Sequence, residues 1–256
     1  MKRSTILAHK GVRRMLAATF WVAAWQFCAV RIGTALLIPT PLQTVQALTA
    51  AVVQKDFWRI VLESLLRIFG GFAGGCALGV LLAVLTTRYP LCDVLFTPVI
   101  RLVRAVPVAS FIILAMLWIH SNLLPSVIAG LIVLPVMWAN VAAGIAQMDP
   151  QLVELTQSYG FSFGKRARLL YFPSILPYFV SGAVTALGLA CKSAVTAEVL
   201  CKPDWAIGTK LYYSKIYLET ETLFAWTVVI VLLSFLIERG LTVLLRRLPG
   251  GAVEHD

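Results

Sequence analysis

Charged residues are scarce in this chain, and the residue spacings that mark metal sites and disulfide frameworks are missing. Asp, Glu, Lys and Arg make up 13% of the 256 residues, about half the share of a typical soluble domain. The five cysteines include no C-x-x-C pair, and the three histidines lack metal-ligand spacing. The sequence therefore predicts neither a disulfide framework nor a bound metal.

Motifs for nucleotide binding and hydrolysis are missing as well. There is no G-x-x-x-x-G-K-[ST] loop, which would hold nucleotide phosphates on backbone N–H groups. The H-E-x-x-H and G-x-S-x-G signatures of metalloproteases and serine hydrolases do not occur either. We therefore expect no catalytic residues and no cofactor in this chain.

Apolar residues, in contrast, dominate. The hydrophobic share is 59%, against roughly 45–50% in soluble domains, and the mean hydropathy is +0.85. A soluble protein of this length could not bury so much apolar surface in one core. We predict an all-α integral membrane protein with a single transmembrane domain over residues 1–256.

Six segments are long and apolar enough to cross a bilayer, which takes about 20 residues as a helix. The predicted spans are residues 15–38, 57–87, 94–119, 123–148, 174–200 and 223–245. The third is interrupted by Arg101, Arg104 and Pro107. We therefore expect an interfacial start there and a shorter true span from about Val106.

The net charge of +10 is distributed unevenly between the two sides of these spans. Most of the 22 Lys and Arg residues lie together with the termini when both termini are placed in the cytoplasm. Because cytoplasmic loops are enriched in basic residues, the sequence predicts a multi-pass protein with both termini inside. No basic face remains once the spans are removed, so we expect no nucleic-acid partner.

The second span is rich in glycine, at positions 70, 71, 74, 75 and 79. Several of these glycines are four residues apart, so they form small faces along one side of a helix. Such faces let a second helix approach closely in lipid. The spacing does not fit a dinucleotide-binding loop, and no strand precedes it. We therefore predict helix packing here.

The most polar connection between spans is residues 149–173, which the charge distribution places in the cytoplasm. Pro150 is suited to begin a short helix and Gly160 to end it. Leu152, Leu155 and Tyr159 then share one face of that helix. Such a helix either rests on lipid or is presented to a cytoplasmic protein, and the residues alone leave both possibilities open.

Ionisable residues within the spans are costly and are candidates for functional sites. Glu63 and Arg67 have the favourable i, i+4 order of an ion pair. Lys192 and Glu198 are six residues apart, which turns a helix by about 240°, so they cannot share a face. Our pathway candidates are Arg67, Lys192 and Glu198. The alternative for Arg67 is a structural ion pair with Glu63, and the alternative for Lys192 is snorkelling or pairing with a neighbouring helix.

The 149–173 connection resembles the E-A-A-x3-G-x9-I-x-L-P signature of permeases from bacterial ATP-binding-cassette importers. Glu154 and Gly160 occupy the Glu and Gly positions, and Pro173 closes an L-Y-F-P run at the I-x-L-P position. Leu155 and Thr156 replace the two alanines. The match covers a long spacing and lies on the side of the membrane that the charge distribution predicts.

Further segments resemble the nitrate, sulfonate and taurine branch of these permeases. They are I-P-T-P at 38–41, S-L-L-R with G-G-F at 64–72, R-A-V-P at 104–107, V-T-A-E at 195–198 and A-I-G at 206–208. One departure is Cys191, where many members carry Trp.

The resemblance implies a type I importer permease fold of about six transmembrane helices in the bacterial inner membrane. It also implies a second permease copy, cytoplasmic ATP-binding subunits that carry ATP and Mg, and an external substrate-binding protein. The coupling helix, about residues 150–163, would dock on the ATPase, with Glu154, Leu155, Tyr159, Gly160 and Pro173 as the coupling-loop residues. The chain itself would translocate and not hydrolyse ATP.

The implied substrate is a small solute, an anion such as a sulfonate, taurine or nitrate. A small molecule related to thiamine precursors is the alternative within the branch. A secondary carrier driven by an ion gradient is the alternative outside it. Six spans without an internal repeat count against that carrier.

Overall fold

The computed structural model describes residues 10–34 and 36–246, and every regular element in these ranges is helical. The helices are α1 (Lys10–Ile32), α2 (Pro41–Val53), α3 (Lys55–Arg88), α4 (Pro90–Ala105), α5 (Val108–Ala115), α6 (Leu124–Ala146), α7 (Pro150–Ser158), α8 (Phe163–Arg166), α9 (Phe172–Cys201), α10 (Ile207–Ile216) and α11 (Thr220–Arg246). A π-helical turn, Ala167–Tyr171, joins α8 to α9. The predicted all-α class is confirmed.

Five helical stretches are long and apolar enough to cross a membrane, and a bent pair supplies a sixth. The five are Gly11–Ile32, Lys55–Arg88, Leu124–Ala146, Gly164–Cys201 and Thr220–Leu244. The pair is α4 with α5, which are bent by 103°. The predicted number of about six spans is therefore confirmed.

The bend lies at the interruption expected in the third span. Pro107 restricts the residue before it to extended backbone, and Val106 has ψ 133°. The helix cannot continue through that residue, so α4 ends at Ala105 and α5 begins at Val108. The expected interruption is confirmed. The helix after it, α5, has only eight residues, about 12 Å, so it does not by itself form the expected shorter span from about Val106.

The predicted end of the first span and the connection after it were wrong. The helix stops at Ile32 instead of residue 38, because Gly33 takes the left-handed φ of 70° that ends a helix. Within the supposed connection, α2 begins at a capping box. Thr40 Oγ1 accepts the Gln43 N–H, the Gln43 side chain accepts the Thr40 N–H, and Pro41 occupies the first turn.

The predicted boundary between the polar connection and the fifth span was also wrong. The connection was expected to run to Pro173, but the chain is helical from Gly164 to Cys201. Pro173 has no N–H, so the ordinary i→i−4 ladder cannot run through it. The π turn absorbs this defect, since the Phe172 N–H donates to the Ala167 carbonyl five residues earlier.

By contact density the chain forms two compact units. The first unit comprises residues 1–59 and 210–230. Within it, the Trp25 indole N–H donates to the Pro39 carbonyl at 3.0 Å, and the Trp25 ring stacks on Phe224. Phe57 stacks on Trp226 with ring centroids 5.1 Å apart. These aromatic contacts join α1 and the first turn of α3 to the first two turns of α11.

The second unit comprises residues 60–209 and 231–256 and contains the apolar core. In that core α6 packs along α9, with Val133 and Met137 of α6 and Ala186 and Ala190 of α9 all fully buried. The alanines let the two helices approach closely, as lipid-embedded helices require for van der Waals packing.

Three glycines of α3 pack against the backbone of α6. A methyl group on Gly71, Gly75 or Gly79 would lie no more than 2.7 Å from a carbonyl oxygen of α6. Those oxygens belong to Ser126, Gly130 and Leu134. Gly70 and Gly74 face open space instead. The predicted packing role is confirmed for the face of Gly71, Gly75 and Gly79, whereas the face of Gly70 and Gly74 meets no atom of the described residues within 4 Å.

Candidate functional site

The α7 helix, which carries the importer-like signature, has a defined cap at each end. At its start, Asp149 Oδ1 accepts the Gln151 N–H at 2.8 Å. At its end, Gly160 adopts φ 65° and the Phe161 N–H donates to the Thr156 carbonyl at 3.1 Å. This is the Schellman arrangement, in which a left-handed residue closes the helix. The expected start at Pro150 and end at Gly160 are confirmed.

One face of α7 has no cover from the rest of the described chain. Leu152, Leu155 and Tyr159 are 46%, 52% and 74% exposed. Glu154 is exposed beside them. A short capped helix with three uncovered apolar side chains and a carboxylate is chemically suited to dock into a groove of a partner protein.

Pro173, the last of the predicted coupling-loop residues, is not part of α7. It occupies the first turn of α9, after the π turn. The predicted coupling-loop residues therefore divide into a group on or beside α7 and one proline at the base of a long helix.

A second polar site lies inside the second unit and is centred on Glu198, whose side chain is fully buried. Its Oε2 accepts the Ser64 hydroxyl and the Gly208 N–H, each at 3.0 Å. The Ser64 oxygen in turn accepts the Ile207 N–H at 3.0 Å. A buried carboxylate needs such donors, since burial without them is strongly unfavourable.

Arg67 supplies the positive charge of this site. Its Nη1 lies 3.6 Å from Glu198 Oε1, and its Nη2 lies 4.0 Å from the rim residue Glu63. The guanidinium also donates to three backbone carbonyls, those of Asn122 (3.2 Å), Asp204 (2.8 Å) and Trp205 (3.2 Å). All three of its nitrogens are therefore engaged, and the side chain is 11% exposed.

The Glu198–Arg67 cluster connects segments that are distant in the sequence. It joins α3, the turn before α6, the C-terminal end of α9 and the 202–206 loop. That loop has two left-handed residues, Lys202 at φ 50° and Trp205 at φ 49°. A methyl group on Gly208 would lie 2.4 Å from Glu198 Cβ, so only glycine permits this approach. The cluster holds the loop at a fixed position against α3 and α9.

Three of the sequence motifs meet in this cluster. The S-L-L-R segment contributes Ser64 and Arg67, the V-T-A-E segment contributes Glu198, and the A-I-G segment contributes Ile207 and Gly208. Of the three predicted pathway residues, the structure brings Arg67 and Glu198 together. Lys192 lies apart from them, with its side chain exposed.

Sequence reasoning assigned no site role to several polar residues of the second unit, although Ser64 lay in the S-L-L-R segment. Ser64 and Asn122 hold the cluster, and Glu238 of α11 lies against Gly188 of α9. A signal for Glu238 was present, because a carboxylate inside an apolar run is costly. In the part of the chain that the structure describes, no group of three or more His, Cys, Asp or Glu residues could hold a metal ion.

The sequence matches the profile of a known protein family. The profile of the family described as binding-protein-dependent transport system inner membrane component matches residues 75–249.

Curated relatives match over most of the chain. The taurine transport system permease protein TauC of Escherichia coli (strain K12) is 26% identical over 242 residues, covering 90% of this chain and 84% of its own. The putative aliphatic sulfonates transport permease protein SsuC of Bacillus subtilis (strain 168) is 22% identical over 241 residues, covering 93% and 86%. The bicarbonate transport system permease protein CmpB of Synechocystis sp. (strain ATCC 27184 / PCC 6803 / Kazusa) is 25% identical over 199 residues, covering 76% and 70%.

Among solved structures, a chain of the inward-facing methionine ABC transporter MetNI is similar in fold. The TM-score is 0.58 at 17% identity, and the match covers 74% of this chain and 92% of that one. The likeness supports the type I importer permease fold that the sequence predicted.

Proposed function

Because the chain belongs to the family of binding-protein-dependent transport system inner membrane components, we propose that it imports a small anionic solute as one of two permease copies driven by separate ATPase subunits. An external binding protein delivers the solute. Closure of the ATPases on ATP moves the α7 helices, which switches the membrane helices from inward-facing to outward-facing. The chain is a translocation subunit with both termini in the cytoplasm.

The exposed face of α7 is the observation that carries this proposal. Leu152, Leu155 and Tyr159 are left uncovered on a helix that is closed at both ends. Because α7 is capped at both ends, we expect it to move as a rigid unit. Displacement of a bound ATPase is then transmitted through α7 to the membrane helices. After a turn at residues 159–162, α8 and the π turn lead directly into α9.

Gly160→Val tests this coupling. A branched residue is strained at φ 65°, so the chain should leave α7 in a different direction. In proteoliposomes with the ATPase and binding protein, we expect ATP-driven uptake to fall at least about tenfold, a change of ~1.4 kcal/mol in coupling, while ATP hydrolysis continues. Glu154→Ala should have the same direction of effect.

Gly164→Ala is the matched control, because a methyl group there meets no atom within 4 Å. It should leave uptake and hydrolysis unchanged. Full uptake by Gly160→Val protein, with membrane insertion confirmed, would exclude the proposed coupling role of α7.

The proposed anionic substrate rests on a cation within the spans and on the relatives' chemistry. The taurine, aliphatic sulfonate and bicarbonate permeases are named for transport of small molecules that bear an anionic group. Arg67 is occupied by Glu198 and by three carbonyls, so the cation we assign to the pathway is Lys192. A cation in a low-dielectric setting attracts an anion strongly.

Lys192→Met and Lys192→Glu test the assignment of the pathway cation. We expect uptake of the natural substrate to fall at least about tenfold with Met and further with Glu, because the attraction is first removed and then reversed. Wild-type uptake by both variants, at equal expression, would show that Lys192 serves the structure alone. A cationic natural substrate would contradict the proposal as well.

A further inference from the structure

A carboxylate in the last membrane helix rests in a gap on its neighbour. Glu238 belongs to α11, within the apolar stretch Thr220–Leu244. A methyl group on Gly188 of α9 would lie 2.6 Å from Glu238 Oε1 and 3.5 Å from its Cδ. The missing side chain at Gly188 therefore makes room for this carboxylate, and an alanine there would displace it.

The same gap lies one helical turn from an exposed cation. Lys192 follows Gly188 by four residues, which is a net rotation of about 40° and a rise of about 6 Å. The Glu238 carboxylate, which lies against Gly188, and Lys192 are therefore next to each other on one face of α9. Among the described residues, no ion pair joins Lys192 to Glu238 at 4.0 Å or less.

Both charges lie inside spans that the sequence predicts, Lys192 in residues 174–200 and Glu238 in residues 223–245. Along α9, Lys192 is nine residues from the end at Cys201, and Gly188 is thirteen. At 1.5 Å per residue these distances are about 14 and 20 Å. Both exceed the roughly 6 Å that a lysine side chain extends.

We propose that Lys192 and Glu238 form a binding site for a small zwitterionic solute. Lys192 takes its anionic group and Glu238 takes its ammonium group. The proposal rests on the importer function proposed above. It narrows the solute to one that carries an ammonium group as well as an anionic group. A solute that presents both charges a few ångströms apart compensates two intramembrane charges at once, whereas a simple anion leaves the carboxylate repelling it.

Reporter thiols test whether the two charges face one aqueous space. The protein is the purified permease with its ATPase, and the probes are the anionic 2-sulfonatoethyl and the cationic 2-(trimethylammonio)ethyl methanethiosulfonates. In Lys192→Cys protein, Glu238 should favour the cationic probe by at least about threefold. In Glu238→Cys protein, Lys192 should favour the anionic probe to a similar extent. Rates are taken above those of the protein with its native cysteines alone.

Two further substitutions in the Lys192→Cys protein test whether the probe preference comes from the Glu238 carboxylate or from a general disturbance of the fold. Glu238→Gln should abolish the preference for the cationic probe, and Gly188→Ala should reduce it by displacing the carboxylate. Gly240→Ala on α11, the helix of Glu238, should leave the probe preference unchanged, since a methyl group there meets no atom within 4 Å. Absence of labelling at position 192, or an unchanged preference in Glu238→Gln protein, would overturn the proposal.

The zwitterion preference is tested with both charges intact and Thr196→Cys as the reporter. Thr196 is exposed one turn beyond Lys192. We expect 2-aminoethanesulfonate to slow labelling by methyl methanethiosulfonate at least about threefold more than 2-hydroxyethanesulfonate does, a difference that Glu238→Gln removes. Equal protection by the two solutes would contradict the zwitterion site. Labelling needs no ATP turnover, so this result is distinguishable from a failure of coupling at Gly160.

Discussion

Glu198 shows at the level of one residue how a charge is held inside an apolar bundle. Its carboxylate has one hydroxyl donor and one guanidinium, both from α3, and one backbone donor from the Gly208 N–H. Removing one partner of a buried ion pair leaves the other charge uncompensated, which costs more than the pair itself contributes.

Glu198→Gln should therefore destabilise the protein markedly. The amide keeps the size of the side chain but leaves Arg67 without its buried counter-charge. We expect a loss of about 3 kcal/mol in the free energy of unfolding, measured by thermal unfolding of purified protein in detergent.

Glu63→Gln is the matched control for this measurement. Glu63 also faces Arg67, but at 4.0 Å and with its side chain 40% exposed. An exposed pair contributes about 1 kcal/mol or less. Equal effects of the two substitutions would show that the burial of Glu198 does not decide the stability of the cluster.

Most residues of this cluster could be identified from the sequence. Which helices bring them together could not. Arg67 and Glu198 stood out because charges are rare in the spans, and Ser64 and Gly208 lay in recognised segments. Periodicity gives the depth and the face of each residue on its own helix, but it does not say which helices are neighbours. Glu238 was missed for the same reason, since nothing in the sequence places Gly188 opposite it.

At the scale of helices, the contact between α3 and α6 depends on three glycines four residues apart. Gly71, Gly75 and Gly79 each lie against a backbone carbonyl of α6. Because no side chain intervenes, the backbones themselves are in van der Waals contact.

Gly75→Ala should force these two helices apart. Its methyl group would meet the Gly130 carbonyl at 2.6 Å and Val133 Cβ at 2.7 Å. Overpacking of this kind costs about 1–3 kcal/mol, which a lower melting temperature in detergent would report.

Gly74→Ala provides the comparison on the other face of α3, where a methyl group meets no atom within 4 Å. It should be neutral or stabilise the helix by up to about 1 kcal/mol. A loss of stability at Gly74 as large as that at Gly75 would contradict the assignment of the packed face.

Helix ends were predicted less well than helix cores. The apolar runs gave the long spans correctly, but hydropathy does not detect a cap. The capping box at Thr40 and Gln43 begins an apolar helix of only 13 residues, which is too short to cross a bilayer, so α2 was taken as a connection. The π turn before Pro173 was also beyond sequence reasoning, because proline normally indicates the start of a new helix.

At the scale of the whole molecule, α7 is the face on which we propose that an ATPase docks. We propose that two copies of this chain act together, so that two ATPase subunits are engaged at once. Much of the apolar surface of α1 and α11 is exposed, as expected for helices that contact lipid or a second copy.

Co-expression of two differently tagged forms of the chain tests the homodimer. Purification through one tag in mild detergent should recover the other tag in about equal amount, together with the ATPase. Copies mixed only after solubilisation are the control and should not exchange. An active complex with a single copy, or one that requires a different permease, would exclude the homodimer.

The Glu198–Arg67 cluster also bears on the order in which the chain is made. Ser64 and Glu198 are 134 residues apart, and Arg67 and Asp204 are 137 apart. While a ribosome is still synthesising the chain before α9, Arg67 has no carboxylate from that helix and only the Asn122 carbonyl among its backbone acceptors. An unsatisfied guanidinium in lipid is costly. Completion of the membrane bundle is therefore a late event in biosynthesis, and a nascent chain interrupted before residue 198 is a natural substrate for membrane quality control.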